Sequence, residues 1–132
     1  MSVVVDASAV LAFLRDEPGA ERVEVALDDG AVIGAANWSE VAQKVRLHGD
    51  GWPVSRALLE SYGLVIEPVT RADAEHAAAT WRAGSGLSLA DRLCLALGTR
   101  LGATVLTADT AWGGEAPIEQ IRPAGGDLGA RR

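Results

Sequence analysis

The sequence predicts an α/β domain built on a mostly parallel sheet of four to five strands flanked by helices. Short β-branched runs alternate with longer segments of helical periodicity. The first of these runs is uninterrupted, as in strands buried on both faces of a parallel sheet. Glycine, proline or a capping residue punctuates most junctions. With 132 residues, 48% of them hydrophobic and 23% charged, the chain matches one globular domain able to bury about two-thirds of its unfolded surface.

Val3-Val4-Val5 ends abruptly at Asp6 and reads as the first strand. Ala7, Ser8 and Ala9 are small, and Val10, Leu11 and Leu14 then fall at helical spacing. After the break at Arg15-Asp16-Glu17, Pro18 is expected as an early residue of a second helix. That helix runs to about Leu27, with Val23, Ala26 and Leu27 apolar, and stops at Asp28-Asp29-Gly30. Ala31 to Gly34 is the second strand. Asn37 is expected to cap a third helix that turns Trp38, Val41 and Val45 inward and carries Glu40 in its first turn. Gly49-Asp50-Gly51 ends it. Pro53 begins a fourth helix, which closes at Gly63.

Leu64-Val65-Ile66 is the third strand, and Thr70 caps a helix from Ala72 to about Arg82. Gly84-Ser85-Gly86 connects it to a helix from Leu89 to Thr99, capped by Ser88, with Leu89, Leu93, Ala96 and Leu97 core-like. Ala103 to Thr107 is the fourth strand, ending just before Asp109, and Ile118 to Ile121 is a last edge strand. No repeat or second domain is visible. Residues 1–122 form the domain, and the Gly-rich tail 123–132, ending in two arginines, reads as disordered.

Composition narrows the function classes. The single cysteine, Cys94, allows no internal disulfide and fits a reducing cytoplasm. The apolar start has no preceding basic region, so no signal peptide is expected, and no apolar run is long enough to span a bilayer. A net charge of −6 argues against gripping nucleic acid by charge alone. It leaves room for a nuclease whose bound cations reverse the local field. Eleven arginines stand against one lysine, Lys44. Arginine is the better bidentate phosphate ligand, and high-GC codon usage explains the same bias.

Four acids occupy suggestive positions. Asp6 and Asp109 follow apolar strands; Glu40 and Asp91 lie near helix starts. In a parallel α/β sheet the carboxyl ends of strands and the amino ends of helices share one edge, so all four can converge. Each also has a plain structural reading: Asp6 as a helix cap, Glu40 and Asp91 as first-turn acids favoured by the helix dipole, Asp109 as a turn residue. Their co-occurrence, with Ser8 and Thr107 beside two of them, favours a shared site. Gathered carboxylates stay ionised when cations lie between them. All-oxygen ligation selects hard ions such as Mg²⁺ or Mn²⁺, whose natural reaction here is phosphodiester hydrolysis.

These residues carry a family resemblance. Val3-Val4-Val5-Asp6-Ala7-Ser8-Ala9, Asn37-Trp38-Ser39-Glu40-Val41, Ser88-Leu89-Ala90-Asp91-Arg92-Leu93 and Leu106-Thr107-Ala108-Asp109 resemble, in order and approximate spacing, the motifs of PIN-domain ribonucleases. The closest likeness is to the VapC toxins of bacterial toxin–antitoxin pairs, and it spans Val3 to about Ile121, including Ala111-Trp112 after the last acid. The resemblance implies a PIN-like three-layer domain and an Mg²⁺- or Mn²⁺-dependent endoribonuclease. Asp6, Glu40, Asp91 and Asp109 would be its metal-binding, catalytic acids. Ser8 and Thr107 would be supporting hydroxyls and Asn37 a supporting amide. It further implies a homodimer and a cognate antitoxin that inserts a segment toward the acidic site. Some relatives carry further acids where this chain has Ala111 and Trp112.

Other residues read as structural. His48 and His76 fall on helix surfaces, Cys94 in the core, and Arg46, Arg82 and Arg100 on solvated helix faces. Arg92 reads either as a pin on Asp91 or as a contact to substrate phosphate. Four tryptophans raise base stacking. Trp38 and Trp81 are expected on amphipathic helices, packed in the core or at a dimer interface, and Trp52 and Trp112 in connections. The rival functions are a phosphoryl-transfer protein with an aspartate nucleophile, for which the second aspartate and a late lysine are missing, and a catalytically silent RNA- or protein-binding module with a structural metal.

Overall fold

The computed structural model describes residues 2–49 and 51–122; Asp50 and the tail 123–132 lie outside the described residues. Five strands form one sheet: β1 (Val3–Val5), β2 (Val32–Gly34), β3 (Val65–Glu67), β4 (Thr104–Thr107) and β5 (Ile118–Gln120). Their order is β3-β2-β1-β4-β5 and every pairing is parallel. The expectation of a mostly parallel α/β sheet holds, and the edge strand β5 is parallel too.

Two helical layers enclose the sheet. The β-branched run at β1 alternates its faces: Val5 sits beside Leu106 and Val4 between Val32 and Val105. On the Val5 face, Ile33 and Leu106 pack against α1 (Ala7–Leu14), α2 (Ala20–Asp28), α3 (Ala35–Leu47) and α4 (Trp52–Ser61) through Leu11, Leu27, Val41, Trp52 and Leu59. On the Val4 face, Val32 and Val105 meet Cys94 and Leu97 of α6 (Leu89–Leu101) and Trp112. Helix α5 (Arg71–Ala79) packs on α6. Burial on both faces accounts for the continuous apolar strands.

Several elements differ from expectation for local reasons. Helix α2 starts after Gly19 rather than at Pro18. Gly19 has φ 95°, and a Cβ there would stand 2.7 Å from the Ile121 side chain, so the chain turns at this glycine where the end of β5 packs. Helix α3 starts at Ala35 with no side-chain cap. Asn37 therefore lies within its first turn and Glu40 in its second. Helix α5 stops at Ala79, which leaves Trp81 beyond it and 60% exposed. Leu89 is 58% exposed rather than core. Trp52 heads α4 instead of lying in a connection and packs edge-on to Trp38, ring centroids 5.1 Å apart. Trp112, in a 3-10 turn (Thr110–Trp112), is buried.

Helix α6 is held at its start, its middle and its end. Ser88 and Asp91 form a reciprocal capping box at its start. Gly98 gives it a close approach to β4, since a Cβ there would collide with the Val105 side chain. Arg100 is not a free surface cation: it grips the carboxylate of buried Asp73 at 3.0 and 3.1 Å. Burial pushes the Asp73 carboxyl up, but the Arg100 guanidinium and the Thr70 amide and hydroxyl outweigh it and hold it below its ordinary value. The associated stability is present above the unfolded carboxyl range and lost as pH falls through the lowered folded value.

Gly98→Ala is expected to lower stability by about 1–3 kcal/mol, the usual cost of forcing atoms into a packed contact. Gly114→Ala, where a Cβ meets nothing within 4 Å, is expected to stay within about 0.5 kcal/mol of the native chain. Thermal or urea denaturation of both variants measures the difference.

Candidate active site

The strand order creates a switch point between β1 and β4. The chain leaves β1 through α1 and α2 on one face, and enters β4 from α5 and α6 on the other. The crevice opens beyond the carboxyl ends of these two strands, where ligands of open α/β sheets bind. Asp6 and Thr107 stand there.

Asp6 is buried and its amide still donates to the Leu106 carbonyl at 3.1 Å, extending the β1–β4 ladder by one residue. Its Oδ1 accepts from the Ala9 amide and the Ser8 hydroxyl, both at 2.8 Å. Its Oδ2 accepts from the Thr107 hydroxyl at 2.6 Å. Ser8 Oγ in turn accepts from the Ala108 amide at 2.9 Å, and Thr107 Oγ1 from the Asp109 amide at 3.0 Å. Asp6 is thus the N-cap of α1 and the centre of the crevice at once. Burial pushes its carboxyl up from 3.8 to about 6. The Thr107, Ala9 and Ser8 donors oppose that rise, and the negative charge of Asp91 adds to it.

Asp91 and Glu40 approach from two helices. Asp91 Oδ2 accepts from the Ser88 amide at 2.9 Å. Asn37, almost fully buried rather than capping α3, donates through Nδ2 to Glu40 Oε1 at 3.2 Å and to the Ala90 carbonyl at 3.4 Å. One amide therefore ties the helix carrying Glu40 to the residue before Asp91. The buried Cys94 thiol is raised well above its ordinary value by burial and by the negative charges of Asp6, Asp91 and Glu40. The charges of three of the four acids thus act on the same buried thiol.

Asp109 is fastened nearby by its backbone, while its Oδ1 caps the 3-10 turn through the Ala111 amide at 3.0 Å. Arg92 does not pin Asp91: its Nη1 donates to the Ala77 carbonyl at 2.7 Å and joins α6 to α5. Gln120 was not singled out in the sequence, yet its amide bridges the carbonyls of Asp109 and Gly113 at 2.9 and 2.8 Å and shapes the loop after β4. Its only signal was a place on an edge strand.

Among the described residues, no three His, Cys, Asp or Glu side chains stand close enough to form a ready cation cage. The donor chemistry nonetheless fits a hard divalent ion: carboxylate oxygens from separate elements, one desolvated, with the buried Asn37 Oδ1 lacking a partner.

A parallel sheet enclosed by two helical layers, with the buried Asp6 carboxylate at its switch point, defines an α/β protein of the open parallel-sheet type. The family follows from the sequence. Residues 3–113 match the PIN domain model, and the chain belongs to the PIN-domain family, whose members are generally nucleases. No curated protein sequence matches it. A solved toxin–antitoxin complex from Klebsiella pneumoniae contains a chain of the same fold, with a TM-score of 0.74 and 18% identity over 91% of this chain and 98% of that one.

The raised Asp6 carboxyl has a testable sign. Its folded value, about 6, exceeds the unfolded one, so its contribution favours folding at low pH and fades as pH rises through 6. In EDTA, native protein is expected to lose stability relative to Asp6→Asn between about pH 4 and 6, by at most about 3 kcal/mol, and to keep that deficit above. Urea melts of both proteins across this range check it.

Proposed function

We propose that this protein is a divalent-metal-dependent endoribonuclease and the toxin of a toxin–antitoxin pair. The observation that supports the reading is the buried Asp6 carboxylate at the switch point of a PIN domain, with Asn37 tying the helix of Glu40 to the residue before Asp91. Mg²⁺ or Mn²⁺ would be held by Asp6, Glu40, Asp91 and Asp109. When bound, the ion supplies an acidified water and offsets the charge of the phosphodiester.

The chain's own residues set the geometry. The Ser8 and Thr107 hydroxyls and the Ala9 amide fix the orientation of the Asp6 carboxylate. Asn37 holds Glu40, and the Ser88 cap holds Asp91. Arg92, anchored at Ala77, is assigned to a substrate phosphate. Water attacks phosphorus without need of a 2′-hydroxyl, the P–O3′ bond breaks and the 3′-oxygen leaves with a proton, so the products carry a 5′-phosphate and a 3′-hydroxyl. The acidic edge suits a cationic segment of a cognate antitoxin, and the fold neighbour found in a toxin–antitoxin complex supports such a partner. We assign the protein to the cytoplasm as a homodimer.

RNA incubated with purified protein is expected to be cut with Mg²⁺ or Mn²⁺ and left intact in EDTA. Asp91→Asn should slow cutting by at least about 100-fold, beyond the usual cost of losing an outer partner of a metal ligand. Mapped ends bearing 2′,3′-cyclic phosphate would overturn the hydrolytic reading. A native protein that binds metal and cuts none of a broad RNA panel would establish the silent binding module instead.

A further inference from the structure

Trp81 is the tryptophan the fold leaves uncovered. Trp52 and Trp112 are buried, Trp38 packs on Trp52, and Trp81 is 60% exposed. It opens the connection between α5 and α6, and that connection is anchored beside the acidic site at both ends. At one end Arg92, next to Asp91, donates to the carbonyl of Ala77, one helical turn before Trp81. At the other, Ser88 and Asp91 exchange backbone and side-chain hydrogen bonds. The indole therefore lies in a connection whose two ends are tied to the segment that carries Asp91.

The chemistry of the connection fits single-stranded RNA. From Thr80 to Ala90 there is no acid in a chain that carries 18, and one cation, Arg82. Arg82 is exposed and has no ion pair among the described residues. The loop is open at two of its positions: at Gly84 and Gly86 an added Cβ would meet no atom within 4 Å. An exposed indole offers a π-face that any base can stack on, and a neighbouring guanidinium offers a partner for the phosphate. We propose that Trp81 stacks on an unpaired base of the RNA flanking the cut, with Arg82 on the adjoining phosphate. This rests on the ribonuclease reading and deepens it. The site selects single-stranded RNA with little preference among bases, because stacking is sequence-tolerant.

The test measures binding by fluorescence anisotropy in EDTA, with labelled single-stranded oligoadenylate and an abasic oligoribonucleotide of equal length. Native protein, Trp81→Ala and Arg82→Ala are compared, with thermal melting and light-scattering mass as controls. Trp81→Ala is expected to weaken oligoadenylate binding about tenfold, in the range that stacking provides, and to leave abasic binding unchanged. Arg82→Ala should weaken both probes. Equal oligoadenylate affinity of native and Trp81→Ala proteins overturns the proposal while the ribonuclease reading stands on RNA cleavage with Mg²⁺. A fall in mass in Trp81→Ala with unchanged affinity also overturns it and assigns Trp81, with Leu89, to a contact between copies. A native chain that neither cuts nor binds RNA overturns both.

Discussion

The hydrogen bond from the Thr107 hydroxyl to the Asp6 carboxylate, 2.6 Å long, joins the two strands at which the chain changes faces of the sheet. A carboxylate in this position is costly because burial strips its water. Three donors offset that cost, and they come from the start of α1, from Ser8 and from the end of β4. Satisfying one buried charge therefore fixes the entry of the first helix and the relation of β1 to β4 together. The same hydroxyls pass the constraint on, since Ser8 accepts from Ala108 and Thr107 from Asp109. The loop after β4 consequently has its position set by Asp6.

Helix α6 supplies the opposite wall. Its start is capped by the residue that faces the crevice, its middle lies tight on β4 because residue 98 has no side chain, and its end is clamped to α5 by Arg100 and Asp73. Only the cap involves a candidate ligand, through Asp91 Oδ2, and together these contacts leave Asp91 little freedom. Precision at the site is borrowed from a helix fixed along its whole length.

The sheet was legible because its signal is local. Three consecutive valines, and the run from Ala103 to Thr107, announce buried parallel strands without knowledge of their neighbours. Asp6, Ser8 and Thr107 were also legible, as an acid and hydroxyls at strand ends. Helix ends were harder. Pro18 is a sound N1 residue by propensity, but the start of α2 is set by Gly19 against Ile121, a contact over a hundred residues away in sequence. Asn37 is an excellent cap by composition, but its amide goes to Glu40 and Ala90, a tertiary choice that no local window contains. Trp81 followed an apolar helical pattern that the chain abandons at Ala79. Arg100 looked like a solvated residue because its partner Asp73 belongs to a different helix.

The plain and the functional readings of the acids turn out to be compatible, and the reason lies in how each carboxylate is used. Asp91 gives Oδ2 to the Ser88 amide, Asp109 gives Oδ1 to the Ala111 amide, and Glu40 gives Oε1 to Asn37. In each, the second oxygen has no hydrogen bond among the described residues. A cap or a helix-borne amide thus fixes the rotamer with one oxygen and leaves the other free to accept. Ordering a free carboxylate on a cation would cost side-chain entropy at every ligand, and here the fold has already met much of that cost. Asp6 differs: both its oxygens are engaged and its burial is near complete, and that burial raises its carboxyl. A desolvated carboxylate with the negative charge of Asp91 acting on it is a group whose electrostatic balance improves when a cation approaches.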